Sequence, residues 1–186
     1  MLRYESLARL NKSFKAILIF RDPLPHAMSL MHQHSHFTRK QKEDMFVLDY
    51  MNWLGHHEFG LRHKFFSFSD IPKSEPYSIS DLSYWVSSWV VFYSYVLKVY
   101  EPDGQIILVH YDDLLKKPNE LRLAIARRLE IELEHDKVDQ FVPNNTKDHS
   151  EVIPHELLEE VTVIYEKLLK LKIECKWSKP LIILNF

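Results

Sequence analysis

Short apolar runs and segments with helical periodicity alternate along this chain. Residues 15–20 (KAILIF) form an apolar run that stops at Arg21-Asp22-Pro23, and residues 105–110 (QIILVH) form a second run after the turn-forming residues 101–104 (EPDG). Runs of this length, ended by turn signals, are typical of buried strands in a parallel sheet. The pattern therefore predicts two strands. The first is followed by a helix with Asp22 as its cap and Pro23 in its first turn.

Helical periodicity fills most of the sequence around these strands. We predict helices over residues 24–36 and 39–54. Phe46, Tyr50 and Trp53 lie on one face of the second helix, because they are three or four residues apart. The other elements are predicted at residues 78–100, 118–130, 136–141 and 154–171 for helices, 181–184 for a strand, and 65–76 and 142–150 for loops.

Strands separated by helices predict an α/β fold, with a parallel sheet flanked by helical crossovers. We expect one domain over residues 1–186, since the sequence contains no linker, repeat or low-complexity tract. Two or three strands make a small sheet, and parallel sheets are covered on both faces. The pattern thus resembles a domain that lacks its opening strand, and the uncovered sheet edge predicts self-association or a complementing N-terminal segment.

Composition narrows the function classes. Hydrophobic residues make up 46% of the chain, which excludes disorder, and the formal net charge of −2 does not predict a general nucleic-acid or membrane-surface binder. Cys175 is the only cysteine, so an intrachain disulfide is impossible. The N-terminus has no signal-peptide pattern, and polar residues interrupt the longest apolar run, near residues 85–99. We therefore expect a soluble cytoplasmic protein.

The glycine count excludes two nucleotide-binding motifs. Gly55, Gly60 and Gly104 are the only glycines, and they do not cluster after either strand. A loop that cradles phosphates requires residues that allow close backbone approach. Neither the G-x-x-x-x-G-K-[ST] motif nor the G-x-G-x-x-G motif is present.

Candidate phosphate chemistry is concentrated where the first strand ends. Arg21 lies at the carboxyl end of that strand, the edge at which ligands bind in open α/β sheets. Its guanidinium fork suits a phosphate, and Ser29, about two helical turns further on, offers a neutral hydrogen bond. Both side chains reach one phosphate if the helix lies along the ligand.

This segment resembles the 3′-phosphate-binding motif of PAPS-dependent sulfotransferases, in which an arginine after a strand and a serine eight residues later hold the 3′-phosphate. Arg21 and Ser29 match those positions, and the segment 106–118 (IILVHYDDLLKKP) resembles the family's second strand and turn. Tyr111 matches the family tyrosine near the adenine, and residues 84–97 resemble its Trp-containing helix. The resemblance implies a P-loop-NTPase-like fold, PAPS or adenosine 3′,5′-bisphosphate as ligand, and no metal.

Three family features have no counterpart in this sequence. The family's phosphosulfate-binding loop and catalytic base precede the Arg-Asp-Pro strand, and only twenty residues precede Arg21. The glycine-rich Arg-Lys-Gly segment of the cytosolic branch is also absent; Lys147 occupies a similar late position. The resemblance therefore assigns no catalytic residue here, and it implies a fold that is incomplete at the N-terminus.

Structural alternatives compete with each functional interpretation. The alternative for Arg21 is an ion pair with an acidic neighbour, and the alternative for Ser29 is a hydrogen bond back to a helix carbonyl. The alternative for Tyr111 is that it covers the core. Aromatic side chains four apart on a helix, Trp85 and Trp89, indicate core packing. A partly solvated cluster, rather than a metal site, is the default for the four neighbouring histidines, which are His26, His32, His34 and His36. Asp112 and Asp113 are interpreted as helix-start residues.

Three functions remain open at this point. The first is sulfonate transfer from PAPS to a hydroxyl or amine. The second is an inactive remnant or nucleotide-binding module that lacks the phosphosulfate loop and base. The third is a structural α/β domain that contacts a partner through its aromatic helix. The sequence does not identify the substrate that would accept the sulfonate. Residues 57–77 are the candidate segment for binding it.

Overall fold

The computed structural model describes residues 4–68, 71, 77–102, 104–133 and 152–174. The elements in order are α1 (Tyr4–Leu10), β1 (Ala16–Phe20), α2 (Pro23–Glu43), α3 (Met45–Trp53), α4 (Leu82–Val99), β2 (Ile106–His110), α5 (Tyr111–Lys116), α6 (Pro118–Leu129) and α7 (His155–Leu171). The chain divides into two compact units. The sheet unit contains α1, β1, β2, α5 and α6, together with the residues that follow α7. The helical unit contains α2, α3, α4 and α7.

The two predicted strands form a parallel pair in the sheet unit. Ala16 pairs with Ile106 and Phe20 with His110, so the strands start and end together. All five residues of β2 are buried. Its inner residues Ile107 and Val109 form an apolar core with side chains of α5, α6 and the residues after α7, namely Leu114, Leu121, Ile125, Leu129 and Ile173. The prediction of a parallel β-α-β arrangement is confirmed.

The first strand is less buried than its apolar sequence predicts. Ile17 and Ile19 are 46% and 49% exposed, whereas Phe20 is fully buried. Alternate side chains of a strand point to opposite faces. Ile17 and Ile19 share the face that is open to solvent, so the prediction of a buried strand was wrong for this face of β1 within the described residues.

The helical unit is organised around α4. Trp85, Trp89 and Tyr93 recur at four-residue spacing on this helix, and each is at most 2% exposed. Helices α2 and α4 pack together, and Trp89 meets Tyr165 of α7 with ring centroids 6.5 Å apart. The interpretation of Trp85 and Trp89 as core residues is confirmed.

The boundary between the first two long helices differs from the prediction. The sequence pattern predicted a break at residues 37–38, but α2 continues to Glu43 and α3 begins at Met45. Residues 37–38 contain no glycine or proline to stop a helix, whereas Asp44 adopts extended backbone. Its carboxylate Oδ1 accepts a hydrogen bond from the Phe46 N–H at 2.9 Å, which caps α3.

Other predictions are confirmed or lie outside the described residues. Helix α4 is present but starts at Leu82 rather than residue 78, after a serine-rich turn. Helices α6 and α7 match their predicted positions, while α1 and α5 were not predicted. The predicted helix at 136–141, the loop at 142–150 with Lys147, and the strand at 181–184 lie outside the described residues. In the described ranges, no helix is long and apolar enough to cross a membrane.

Candidate functional site

Arg21 and Asp22 form the junction between β1 and α2. Arg21 directly follows the last residue of the strand and is partly buried. The carboxylate Oδ1 of Asp22 accepts from the Leu24 N–H at 3.1 Å, and Pro23 occupies the first helical position. The first turn of α2 contains no acidic residue. The partial positive charge of the helix N-terminus therefore lies next to the guanidinium-bearing residue, an arrangement that favours an anion.

His26 is a neutral ring in the same turn. Burial, and secondarily the positive charge of Arg21, lowers the pKa of His26 to about 4. Its Nδ1 atom is buried without a hydrogen-bond partner among the described residues, and the ring lies edge-on to Tyr93 at 6.4 Å. At neutral pH the positive charge of this turn therefore comes from Arg21.

Ser29 lies on the N-terminal half of the same helix. It follows Asp22 by seven residues, which is about two turns, so both residues lie on nearly the same side of α2. Its side chain is partly buried. The structure therefore places Arg21 and Ser29 on one strand-helix junction, as the sequence predicted.

Tyr111 is the first residue of α5 and directly follows β2. It belongs to the sheet unit, whereas Arg21 and Ser29 belong to the helical unit. The residue before it, His110, is paired with Phe20, and the two rings are 5.1 Å apart. Tyr111 is partly buried, and its proposed role beside an adenine remains a prediction.

The sequence predicted only part of the charged cluster beside Tyr111, which consists of Asp112, Asp113, Lys116 and Lys172. Asp112 and Asp113 are helix-start residues, as interpreted from the sequence, but the helix that they start is the unpredicted α5, where Asp112 bonds Lys116 at 2.8 Å. Asp113 makes a 2.5 Å ion pair with Lys172, and both side chains are largely buried. Lys172 is distant in sequence from Asp113, so no local spacing indicated this pair.

Histidines hold the segment after α3, residues 55–68, against α2 and α4. The Glu58 carbonyl lies 2.6 Å from Nδ1 of His63, and a carbonyl only accepts, so this nitrogen carries the proton. Nε2 of His63 must then accept from the Tyr84 hydroxyl at 2.7 Å. On α2, Nδ1 of His34 accepts from the Gly60 N–H at 3.3 Å. Both rings are neutral in this arrangement.

The free energy of unfolding is expected to fall on acidification below about pH 6.5. Burial lowers the folded-state pKa of His34 and His63, as it does that of His26. The unfolded chain, with histidine pKa values of about 6.5, then binds more protons than the folded chain. Stability is therefore fully present above that pH and is lost as pH falls towards about 4, the folded value for His26. Urea unfolding at neutral pH and at about pH 5 should show that His26 alone lowers the free energy of unfolding by about 2 kcal/mol at the lower pH.

The variant His26→Phe provides the matched control for this pH effect. It removes the titrating group while filling the pocket with an apolar ring, so its stability should change less between the two pH values than that of the wild type. An identical pH dependence in both proteins would contradict the assignment to His26.

Two further histidines of α2 point to solvent. His32 and His36 are exposed on α2, and the ring of His36 meets Phe37 at 5.6 Å. Within the described ranges, no three side chains of the metal-binding types converge.

Comparison with known proteins gives one positive finding. A model of the sulfotransferase domain family matches residues 2–161, which is most of the chain. A search of curated proteins and a search of solved structures each returned no match. The matched range contains the Arg21-Asp22-Pro23 junction, Ser29, Tyr111 and both strands. The chain therefore belongs to the sulfotransferase domain family.

Proposed function

We propose that this chain binds the 3′-phosphate of a phosphoadenosine nucleotide through Arg21 and Ser29, as part of sulfonate transfer from PAPS to a hydroxyl or amine acceptor. The observation that carries the proposal is the junction itself. In a chain of this family, Arg21 follows a parallel strand, Asp22 caps the next helix, and Ser29 lies about two turns along it.

The two side chains divide the work of phosphate recognition. The guanidinium of Arg21 supplies charge and two parallel N–H donors. Ser29 supplies a neutral O–H, and the first turn of α2 adds the field of its peptide dipoles. His26 stays neutral, so the preference for a nucleotide with a 3′-phosphate over one without it depends on the charge of Arg21. We assign Tyr111 a contact with the adenine on the strength of the family pattern.

These residues hold the leaving nucleotide rather than the reacting atoms. In the transfer, an acceptor oxygen or nitrogen forms a bond to sulfur while the bond from sulfur to the 5′-phosphate oxygen breaks. The acceptor gives up its proton to a base, and adenosine 3′,5′-bisphosphate leaves. Arg21 and Ser29 bind the far end of that nucleotide, so they contribute affinity and orientation. We assign no residue of this chain as the base.

The distribution of glycine favours a nucleotide-binding module without transfer activity as the second candidate. The two glycines with positive φ, Gly55 and Gly60, lie after α3. Neither follows a described strand, where a glycine-rich loop would cradle the phosphosulfate. A chain of this kind binds the bisphosphate but transfers no sulfonate when PAPS and a phenol or amine are supplied.

Thermal-shift titration with adenosine 3′,5′-bisphosphate tests the binding proposal. Ligand at 100 times its dissociation constant should stabilise the fold by about 2.7 kcal/mol, seen as a rise of a few degrees in Tm. The comparison ligand is 5′-AMP, which lacks the 3′-phosphate and should bind much more weakly.

Variants at the junction make the test specific. Arg21→Ala should weaken bisphosphate binding by about a hundredfold and Ser29→Ala by about tenfold, given the strength of hydrogen bonds to a charged group. Arg21→Lys should fall between wild type and Arg21→Ala, since it keeps charge but loses the fork. Arg39→Ala, an exposed arginine further along α2, is the control and should bind normally. Equal binding of AMP and bisphosphate, or normal binding by Arg21→Ala, would sink the proposal.

A further inference from the structure

Helix α3 presents an apolar face to solvent. The sequence predicted that Phe46, Tyr50 and Trp53 share a face, and the structure places that face outward. These three aromatic side chains are 67%, 50% and 84% exposed, and Met45 and Leu54 at the helix ends are 62% and 52% exposed. Single exposed apolar residues are ordinary, but a contiguous patch of this kind marks an interaction site.

The opposite face fixes α3 to the rest of the helical unit. Leu48 and Met51 are buried, and the sulfur of Met51 accepts a hydrogen bond from the buried amide of Gln41 at 3.0 Å. On the outer face, the rings of Phe46 and Tyr50 already stack at 5.7 Å. The helix is therefore docked and two of its outer rings are ordered relative to each other, which reduces the conformational entropy that binding must remove.

The patch has the size of half a small interface. The exposed parts of the five apolar side chains amount to roughly 500 Å², using about 150–250 Å² for an aromatic side chain. Two such patches facing each other bury roughly 1,000 Å², the lower end of what a specific interface requires. No second surface is needed to reach that area if the partner is another copy of the patch.

The exposed positions on α3 are symmetric about one point. They are Met45, Phe46, Asp49, Tyr50, Trp53 and Leu54, and they fall in pairs about the midpoint between Asp49 and Tyr50. Leu54 keeps helical backbone angles, so the symmetry extends through it. A two-fold interface requires a self-complementary surface of this kind, in which residue i of one copy faces residue j of the second copy and residue j faces residue i.

We propose that α3 packs antiparallel against α3 of a second copy of this chain, with the two-fold axis between Asp49 and Tyr50. In this register Phe46 faces Trp53 of the partner subunit, and Met45 faces the partner's Leu54. Tyr50 faces the partner's Asp49, so that the phenol donates to the carboxylate. Asp49 is the only charged residue on α3, and the two copies of it do not face each other.

Analytical ultracentrifugation of the full chain tests the proposal. Over about two orders of magnitude in concentration, we expect a monomer-dimer equilibrium with a dissociation constant in the micromolar range, roughly what an interface of this size supports. Trp53→Asp and Phe46→Asp should each raise the dissociation constant by about thirtyfold or more, because each removes a central aromatic contact twice per dimer. Both positions are exposed in the monomer, so Tm measured at low concentration should stay unchanged.

Two substitutions of Tyr50, one to a basic and one to an acidic residue, test the register of the two helices. Tyr50→Lys places an ammonium opposite the partner's Asp49 and should retain the dimer, whereas Tyr50→Asp places two carboxylates opposite each other and should abolish it. The control is Val163→Asp, an exposed valine on α7 that is 52% accessible, which should dimerise like wild type. A monomer at every concentration, or a dimer that survives Trp53→Asp, would overturn the proposal. Equal effects of the two Tyr50 substitutions would overturn the register on which it rests.

Discussion

Gly60→Ala is expected to lower the free energy of unfolding by about 3 to 4 kcal/mol, because it adds backbone strain to an overpacked contact. Gly60 has a φ of 86°, where a residue with a Cβ is disfavoured. The added carbon would overlap the Gln41 amide, lying 2.6 Å from its Cδ and closer still to its Oε1. Urea unfolding monitored by far-UV circular dichroism measures the loss.

The Gln41 amide cannot move aside without further loss. It is only 2% exposed, its Oε1 accepts from the Leu61 N–H at 2.7 Å, and its Nε2 donates to the sulfur of Met51. Rotating the amide away would leave the buried Gln41 amide unsatisfied, at about 1 to 3 kcal/mol, and would break its bond to the partly buried Leu61 N–H. Gln41 thus fixes the segment after α3, and Gly60 is the position that makes room for it.

Gly55 supplies the matched control for this prediction. It also has positive φ, 69°, but nothing lies within 4 Å of a carbon added there. Gly55→Ala should therefore cost only the backbone strain, about 1 to 2 kcal/mol. The double variant Gly60→Ala with Gln41→Ala should lose less than the sum of the two single changes, since removing the amide relieves the overlap. Equal losses for Gly55→Ala and Gly60→Ala would contradict the packing argument.

Features encoded within a few residues were predicted from the sequence. The two strands, the Asp22 cap, and helices α4, α6 and α7 each follow from local periodicity bounded by turn or capping residues. The positions of Arg21 and Ser29 belong to this class because their spacing of eight residues spans a single strand-helix junction, whereas their phosphate-binding role stays a prediction. Local signals also specify the side on which a residue lies, which is why Phe46, Tyr50 and Trp53 were correctly placed together.

Features set by distant residues were not predicted. The sequence could not show that the shared face of α3 is exposed, because burial depends on what α2 and α4 cover. The ion pair of Lys172 with Asp113 and the bond of His63 to Tyr84 join residues 59 and 21 positions apart. These misses reflect tertiary packing rather than local propensity. The misplaced α2–α3 break is different, because it follows from the local cap at Asp44.

The histidines show how the two kinds of information combine. Their spacing on α2 invited a metal interpretation, since His32 and His36 share a face. The structure instead uses His34 to bind the Gly60 N–H, and His26 lies buried beside Arg21. Residues that are adjacent in sequence thus have separate roles, and the roles follow from which side of α2 faces α4 or the segment after α3.

Trp85→Ala is expected to destabilise the helical unit by about 3 to 5 kcal/mol, the usual cost of truncating a buried aromatic residue. Trp85 is 1% exposed, and its indole N–H donates to the Ile79 carbonyl at 3.0 Å. Rings from α2 and from the segment after α3 lie against it, with His34, His63 and Phe59 at centroid distances of 5.3, 5.2 and 6.2 Å. Removing the indole would therefore loosen α2, α4 and the segment after α3 together.

Trp53→Ala provides the contrast, because Trp53 is 84% exposed and its loss should change monomer stability by no more than about 0.5 kcal/mol. Both variants are measured by urea unfolding at a protein concentration below that at which copies associate, so that self-association does not add to the stability. If Trp85→Ala leaves no folded protein, Trp85→Phe keeps one aromatic ring but removes the five-membered ring and its N–H, and its expected loss is smaller than that of Trp85→Ala. Equal losses at Trp53 and Trp85 would mean that α4 does not organise the helical unit. A large loss confined to Trp85 would support one aromatic core holding both α2, which bears the proposed phosphate site, and the segment after α3.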